Sequence, residues 1–290
     1  MFTTNYKDVK KIKPLGLRGV ARNIALTGLS LEARLPSSIQ YFKKPRVQFL
    51  YIHHVFDDEL VNFENLIKEL SIHHTFISYN DAIQKIVTNN INKPYISISS
   101  DDGFKNNMKA ASIMDKYNIK GCFFVNPDSI ELRNTDEVAK FCKTQLNFPT
   151  TEFMDWDDVN LLLKNGHEIG SHTMGHINIA KTSLNVVQDN INTSFEILTK
   201  KCGNADHFAY PYGRYFHFNS ESLQLVYDAG YKSCASAERG CHVSDSVIKP
   251  EELFIRRDHV VCDWDLNHIM YFILQNSKKS SLQNNLNPYI

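Results

Sequence analysis

The chain has 290 residues, 42% hydrophobic and 11% aromatic, which is enough apolar side chain for one substantial core and too little length for two full α/β domains. Its 32 Lys and Arg balance 32 Asp and Glu, the pI is near 7.2, and the basic residues read as dispersed rather than striped. That balance excludes a nucleic-acid or acidic-membrane partner recruited by global charge.

In chain order, residues 1–45 read as an N-terminal extension. The stretch 15–35 is interrupted by Arg18, Arg22, Glu32 and Arg34, so neither a secretory segment nor a membrane span is expected, and cytoplasmic residence is the expectation. An amphipathic surface anchor, and with it peripheral membrane association, stays open for this extension. Strands are expected near 47–53, 75–79, 95–100, 121–126, 167–171, 206–211, 231–236 and 253–258, with helical patterns between most of them, such as 60–70, 107–117, 159–164 and 183–200. This alternation predicts a parallel sheet with outer helices, and the expected fold class is α/β, a distorted, incompletely closed (β/α) barrel of seven or eight strands over residues 46–276. Asp155 is expected to cap a helix, as is the Asp263-Trp264-Asp265 run, while His73-His74 reads as a loop pair. Residues 277–290, rich in Ser, Asn and Lys, read as a polar tail. The six cysteines form no C-x-x-C pair and read as reduced thiols.

The chemistry concentrates in Asp101-Asp102-Gly103 and His172-x-x-x-His176. The acids follow an alternating β-prone run, Tyr95 to Ser100, which places them at a strand's C-terminal end, where α/β folds put their reactive groups. Adjacent carboxylates on an extended backbone point different ways, so one can bind a cation while the other faces water or substrate. Histidines four apart converge on one ion from either a helical turn or a tight loop. One Asp and two His leave coordination positions open, as metal-assisted hydrolysis requires.

These residues resemble the polysaccharide deacetylase family, also called the NodB homology domain or carbohydrate esterase family four. Its T-F-D-D-G motif is matched by Ser99-Ser100-Asp101-Asp102-Gly103, its H-[ST]-x-x-H by His172-Thr173-Met174-Gly175-His176, and its R-x-P-[FY]-G by Ala209-Tyr210-Pro211-Tyr212-Gly213. The motif order is kept from about residue 47 to about 260. The resemblance implies Asp102, His172 and His176 as metal ligands, Asp101 as general base, and the Tyr212 backbone N–H as a donor to the tetrahedral oxyanion. It implies a divalent cofactor, zinc first, with cobalt, nickel, manganese or iron also accepted by such a set. The implied activity is N-deacetylation of an amino sugar in surface-polysaccharide biosynthesis. A sugar N-deformylase of the same mechanism, or a glycan-binding barrel without turnover, are the alternatives.

Two departures touch catalytic supports. Ala209 stands where the family has the Arg that orients the base; Arg257 resembles an Arg found near the C-terminus of a related subgroup and is the expected substitute, and because Arg256 and Arg257 alternate faces only one of them can point inward. The late L-x-H, whose His serves as general acid in the family, is matched literally only by Leu266-Asn267-His268, within a helical segment. His53, in Tyr51-Ile52-His53-His54-Val55, falls where a subgroup lacking the third-motif Arg carries its acid, and is the expected choice, with His54 facing the other way. Tyr212 and Tyr215 are expected to line the substrate groove.

Overall fold

The computed structural model describes residues 2–14, 16–244, 247–279 and 288–289. Among the described residues, nine strands form one sheet in which every ladder is parallel: β1 (Arg46–Ile52), β2 (Thr75–Phe76), β3 (Pro94–Ser100), β4 (Cys122–Val125), β5 (Glu168–Ser171), β6 (His207–Ala209), β7 (Ser233–Ala235), β8 (Phe254–Ile255) and β9 (Arg257–His259). The strand order is β8-β7-β6-β5-β4-β3-β1-β9, and β8 and β9 are separated only by Arg256. The sheet therefore returns to its starting point, giving the expected distorted (β/α) barrel with a break at Arg256. The short β2 shares the outer edge of β3 with β4, pairing Thr75 with Tyr95 while β4 pairs Cys122 with Ser99.

The α-helices among the described residues are α1 (Tyr6–Ile12), α2 (Leu17–Leu29), α3 (Pro36–Phe42), α4 (Leu60–Ser71), α5 (Tyr79–Val87), α6 (Asn107–Lys116), α7 (Pro127–Ile130), α8 (Thr135–Thr144), α9 (Trp156–Lys164), α10 (Leu184–Cys202), α11 (Ser220–Asp228) and α12 (Leu266–Lys279). Alternate strand residues divide two apolar clusters, as the period of two requires. Val47, Phe49, Tyr95, Phe124, Ala209 and Ile255 pack inside the barrel, and α5 joins them through Tyr79, Ala82, Ile83 and Ile86. Leu50, Ile52, Ile98, Phe123, Ile169 and Phe208 face outward under the helices.

Several expectations need adjusting. The strand expected over 75–79 stops at Phe76, because Ser78 accepts the Asp81 N–H at 3.1 Å and caps α5. Asp155 caps α9 in a reciprocal pair with Asp158, and Asp265 accepts the Asn267 N–H at 2.8 Å at the start of α12, both as expected. Helix α12 runs through Lys279 with Ser277 buried, so the first residues of the expected tail are helical; residues 280–287 and 290 lie outside the described residues. None of the six cysteines is in a disulfide among the described residues. No helix among the described residues is long and apolar enough to cross a membrane.

Candidate active site

The C-terminal ends of β1, β3, β5 and β6 bring the motifs together. The Asp101 N–H donates to the Ile52 carbonyl at 3.0 Å and the His172 N–H to the Val125 carbonyl at 2.9 Å, which ties the motif turns to neighbouring strand ends. Residues 172–176 form a tight turn with Thr173 and His176 at positive φ, so the loop and not the helical turn is realised.

Asp102, His172 and His176 present donor atoms all within 4.8 Å of one another, and all three are buried. Asp102 Oδ1 lies 3.5 Å from His172 Nε2 and 3.4 Å from His176 Nε2, and no hydrogen bond satisfies this oxygen. The His172 Nδ1–H donates to the Ala209 carbonyl at 2.7 Å, which leaves the Nε2 lone pair facing the carboxylate. Burial, above all, holds both imidazoles below their usual pKa, so they are neutral at pH 7. Lone pairs opposed at this spacing call for a cation between them, and donors about 2.1 Å from one tetrahedral ion lie roughly 3.4 Å apart. The residues fit a divalent metal.

Asp101 sits in the same buried patch with a different partner. Arg257 forms a bidentate pair with it, Nη1 to Oδ1 at 2.7 Å and Nη2 to Oδ2 at 2.8 Å. The guanidinium is fixed by the Ser236 carbonyl at 2.8 Å and lies over the Tyr51 ring at 4.5 Å. Burial alone raises a carboxyl's pKa, but Arg257, helped by His172, outweighs it and holds Asp101 below the usual range. Asp102 has no such cation: burial and then the charge of Asp101 push it up to about 8. Only one of the two buried acids is clamped by the arginine, so ionisation of Asp102 calls for a cation of its own beside the oxygen that faces the histidines.

A cavity of about 320 Å³ opens onto this patch, lined by Asp102, His176, Tyr212, His53, His54 and His259, with an apolar wall from Tyr6, Phe104, Leu146, Phe148 and Val261. Asp101 and His172, each 3% exposed, are not part of its lining. Tyr212 has φ 64°, its ring lies 5.0 Å from that of His176, and its N–H donates to no partner among the described residues. Pro211 and Gly213 shape this turn; a Cβ on Gly213 would fall 2.3 Å from that of Ala237.

His53 and His259 face each other, Nδ1 to Nε2 at 3.0 Å, and burial lowers His53 to a pKa of about 4. His54, expected to face away, lines the same cavity, because strand alternation ends at Ile52; its Nδ1 meets Glu59 Oε2 at 3.0 Å. Tyr215 does not reach the cavity. Its ring packs on Phe254 at 5.6 Å with a buried hydroxyl, which corrects the expectation that it lines a groove. His268 is engaged on α12, with Nε2 3.3 Å from Thr27 Oγ1. Arg256 turns outward, 5.8 Å from the Tyr215 ring.

Sequence reasoning missed His259 and Tyr6. His259 lies two residues beyond Arg257 in one strand and so shares its face, a signal that was readable. Tyr6 carried no local signal: it reaches the cavity because the Asp58 carboxylate accepts the Tyr6 and Lys7 N–H groups at 2.7 and 3.1 Å, anchoring the start of α1.

The sequence profile described as polysaccharide deacetylase matches residues 88–234, just over half of the chain. No curated protein sequence gives a significant match. Among solved structures, IcaB from Ammonifex degensii is similar at 14% identity and TM-score 0.63, over 80% of this chain and 98% of its own. The Streptococcus pyogenes deacetylase PplD, solved with acetate, is similar at 17% identity and TM-score 0.61, over 81% and 99%. A de-N-acetylase from Aggregatibacter actinomycetemcomitans is similar at 16% identity and TM-score 0.58, over 78% and 99%. At these identities the structural likeness is one of fold, and it agrees with the profile match in saying that this chain belongs to the polysaccharide deacetylase family.

Proposed function

We propose that residues 46–276 form a metal-dependent carbohydrate N-deacetylase that removes an acetyl group from an amino sugar during surface-polysaccharide synthesis. One observation carries the reading: an ionised, Arg-clamped Asp101 stands beside an unclamped Asp102-His172-His176 set whose Asp102 and His176 line a cavity. A base and a ligand set have been given separate electrostatic environments, which a passive binding site has no use for. Asp102, His172 and His176 would hold the cation, zinc by preference, which when bound polarises the acyl carbonyl and acidifies a water.

Asp101 accepts the proton of the attacking water, and Arg257 keeps it ionised and aimed. The Tyr212 N–H supplies a fixed dipole to the developing oxyanion, with no reorganisation needed in the step. His53, neutral at pH 7, serves as a relay: it takes from Asp101 the proton removed from the water and gives it to the departing amine, which returns Asp101 to its ionised form. His259 holds Nδ1 of His53, leaving Nε2 for this exchange. The aromatic wall of Tyr6, Phe104 and Phe148 suits the apolar face of a pyranose ring.

The test is metal analysis followed by acetate and formate release from a panel of N-acylated amino sugars, comparing wild type with Asp101→Asn. Acetate release that disappears in the variant at unchanged metal content supports the assignment. Formate release alone would make the protein a deformylase, and full metal occupancy without any turnover would make it a binding barrel.

A further inference from the structure

The N-terminal extension carries a surface that the catalytic reading does not use. Helix α2 is amphipathic in the inverted sense: Leu17, Val20 and Ile24 fall on one face at positions i, i+3 and i+7, and they are 91%, 47% and 70% exposed. The opposite face is the one that packs, with Leu26 buried and Arg22 over the rings of Trp264 and Phe272 at 5.7 Å each. Ile12 and Leu31, which precede and follow the helix in sequence, are also 63% and 62% exposed. A monomeric protein rarely leaves such a strip uncovered.

Charge identifies what covers it. Residues 1–45 hold nine Lys or Arg against two Asp or Glu, a net +7, so in a chain of net zero the remaining residues carry −7. Lys and Arg are spread along the chain, but the scarcity of acids in residues 1–45 concentrates net positive charge there. Both acids of the segment are already neutralised, Asp8 by Lys11 at 2.8 Å and Glu32 by Lys278, while Lys7 and Arg18 are exposed. An apolar strip within a cationic segment is complementary to an anionic phospholipid surface, where acyl chains take the ridge and headgroups take the charge.

We infer that α2 lies in the interface of an anionic membrane and docks the enzyme there without spanning it. The cavity mouth is held close to that surface. Lys13 Nζ donates to the Asn147 carbonyl, between the cavity-lining Leu146 and Phe148, which ties the residues just before α2 to the rim.

Sedimentation of the full chain with vesicles tests this without reading turnover, so its outcome is independent of the deacetylase assignment. Vesicles of phosphatidylglycerol with phosphatidylcholine are compared with phosphatidylcholine alone. Binding to the anionic vesicles at least about tenfold tighter, weakened by salt, is expected, as is a loss of at least about tenfold in Leu17→Glu/Ile24→Glu. Both side chains point to solvent, so the variant's thermal melt should match wild type, and Lys7→Glu/Arg18→Glu, which leaves the ridge intact, should lose the anionic preference. Equal binding to both vesicle types, no binding, or unchanged binding by the ridge variant overturns the inference. So does light scattering that shows a dimer abolished by Leu17→Glu/Ile24→Glu, because the strip would then be covered by a second copy.

Discussion

Replacing Arg257 by Met is the sharpest perturbation of this site, because the new side chain fills much of the same volume and removes only the charge and its hydrogen bonds. In wild type the guanidinium donates to both Asp101 oxygens, to the Ser99 hydroxyl at 3.2 Å and to the Ser236 carbonyl, with side-chain exposures of 1% for Arg257 and 4% for Asp101. Removing one partner of a buried pair typically costs roughly 3–5 kcal/mol. Asp101 can limit that loss by binding a proton, which destroys the base, so turnover at pH 7 should fall by on the order of 10²–10⁴.

The sign of the pH effect follows from the lowered carboxyl. Its contribution to stability is present above the unfolded value of about 3.9 and is lost as pH falls through the folded value. The stability gap between wild type and Arg257→Met should therefore be full at pH 7 and close toward pH 3. Arg257→Lys keeps a charge without the planar fork and should fall between the two in both activity and stability. Urea unfolding across pH, paired with turnover on the best substrate, reads both quantities. A Met variant with wild-type midpoint and turnover would refute the clamp.

Three other outcomes are expected. His53→Ala should keep its metal and lose most of its rate, while His268→Ala, which removes only the contact to Thr27, should change the rate little; the opposite pattern would transfer the acid role to His268. Glu168, accepting the Asn80 N–H at 3.1 Å, is pushed by burial to a pKa of about 7, so its ionisation is penalised in the fold and stability should decline by up to roughly 3 kcal/mol as pH rises from about 4.5 to 7. Glu168→Gln should remove that slope from thermal melts, and an unchanged slope would place its cause elsewhere. Chelation should abolish turnover and lower the melting temperature, with zinc restoring both, whereas turnover that survives in protein stripped of metal contradicts the ligand assignment.

Much of this was legible because a barrel strand obeys a period of two. Counting from the interior residues Val47 and Phe49 puts His53 on the inner face; counting from Tyr95 does the same for Asp101, and from Ile255 for Arg257 and His259. The rule allowed only one of Arg256 and Arg257 to point inward, the resemblance to a related subgroup chose Arg257, and Arg257 is the one that pairs with Asp101. The rule fails where the strand ends, which is why His54 was expected on the wrong side. It says nothing about loops, so the apolar wall from Leu146 and Phe148 and the arrival of Tyr6 from an extension 47 residues upstream of His53 were invisible. Tyr215 was misplaced for a related reason: it starts a short 3₁₀ turn that swings its ring onto Phe254, a tertiary contact without a sequence periodicity.

Backbone strain adds an argument that the sequence could not supply. Seven non-glycine residues among those described have positive φ, and three of them are Asn, which is at ease there. The other four are Asp102, Thr173, His176 and Tyr212, all within the three motifs. Such a conformation costs of order 1–3 kcal/mol at Tyr212 and at the β-branched Thr173, and less at Asp102 and His176, whose residue types share Asn's tolerance of it. Two of the four are metal-ligand candidates and a third presents the proposed oxyanion donor, so the strain aims donor atoms that relaxed φ values would turn elsewhere. A barrel retained only to bind glycan would gain stability by relaxing these turns, since an aromatic wall can hold a sugar without them. Their joint persistence favours a site still organised for turnover.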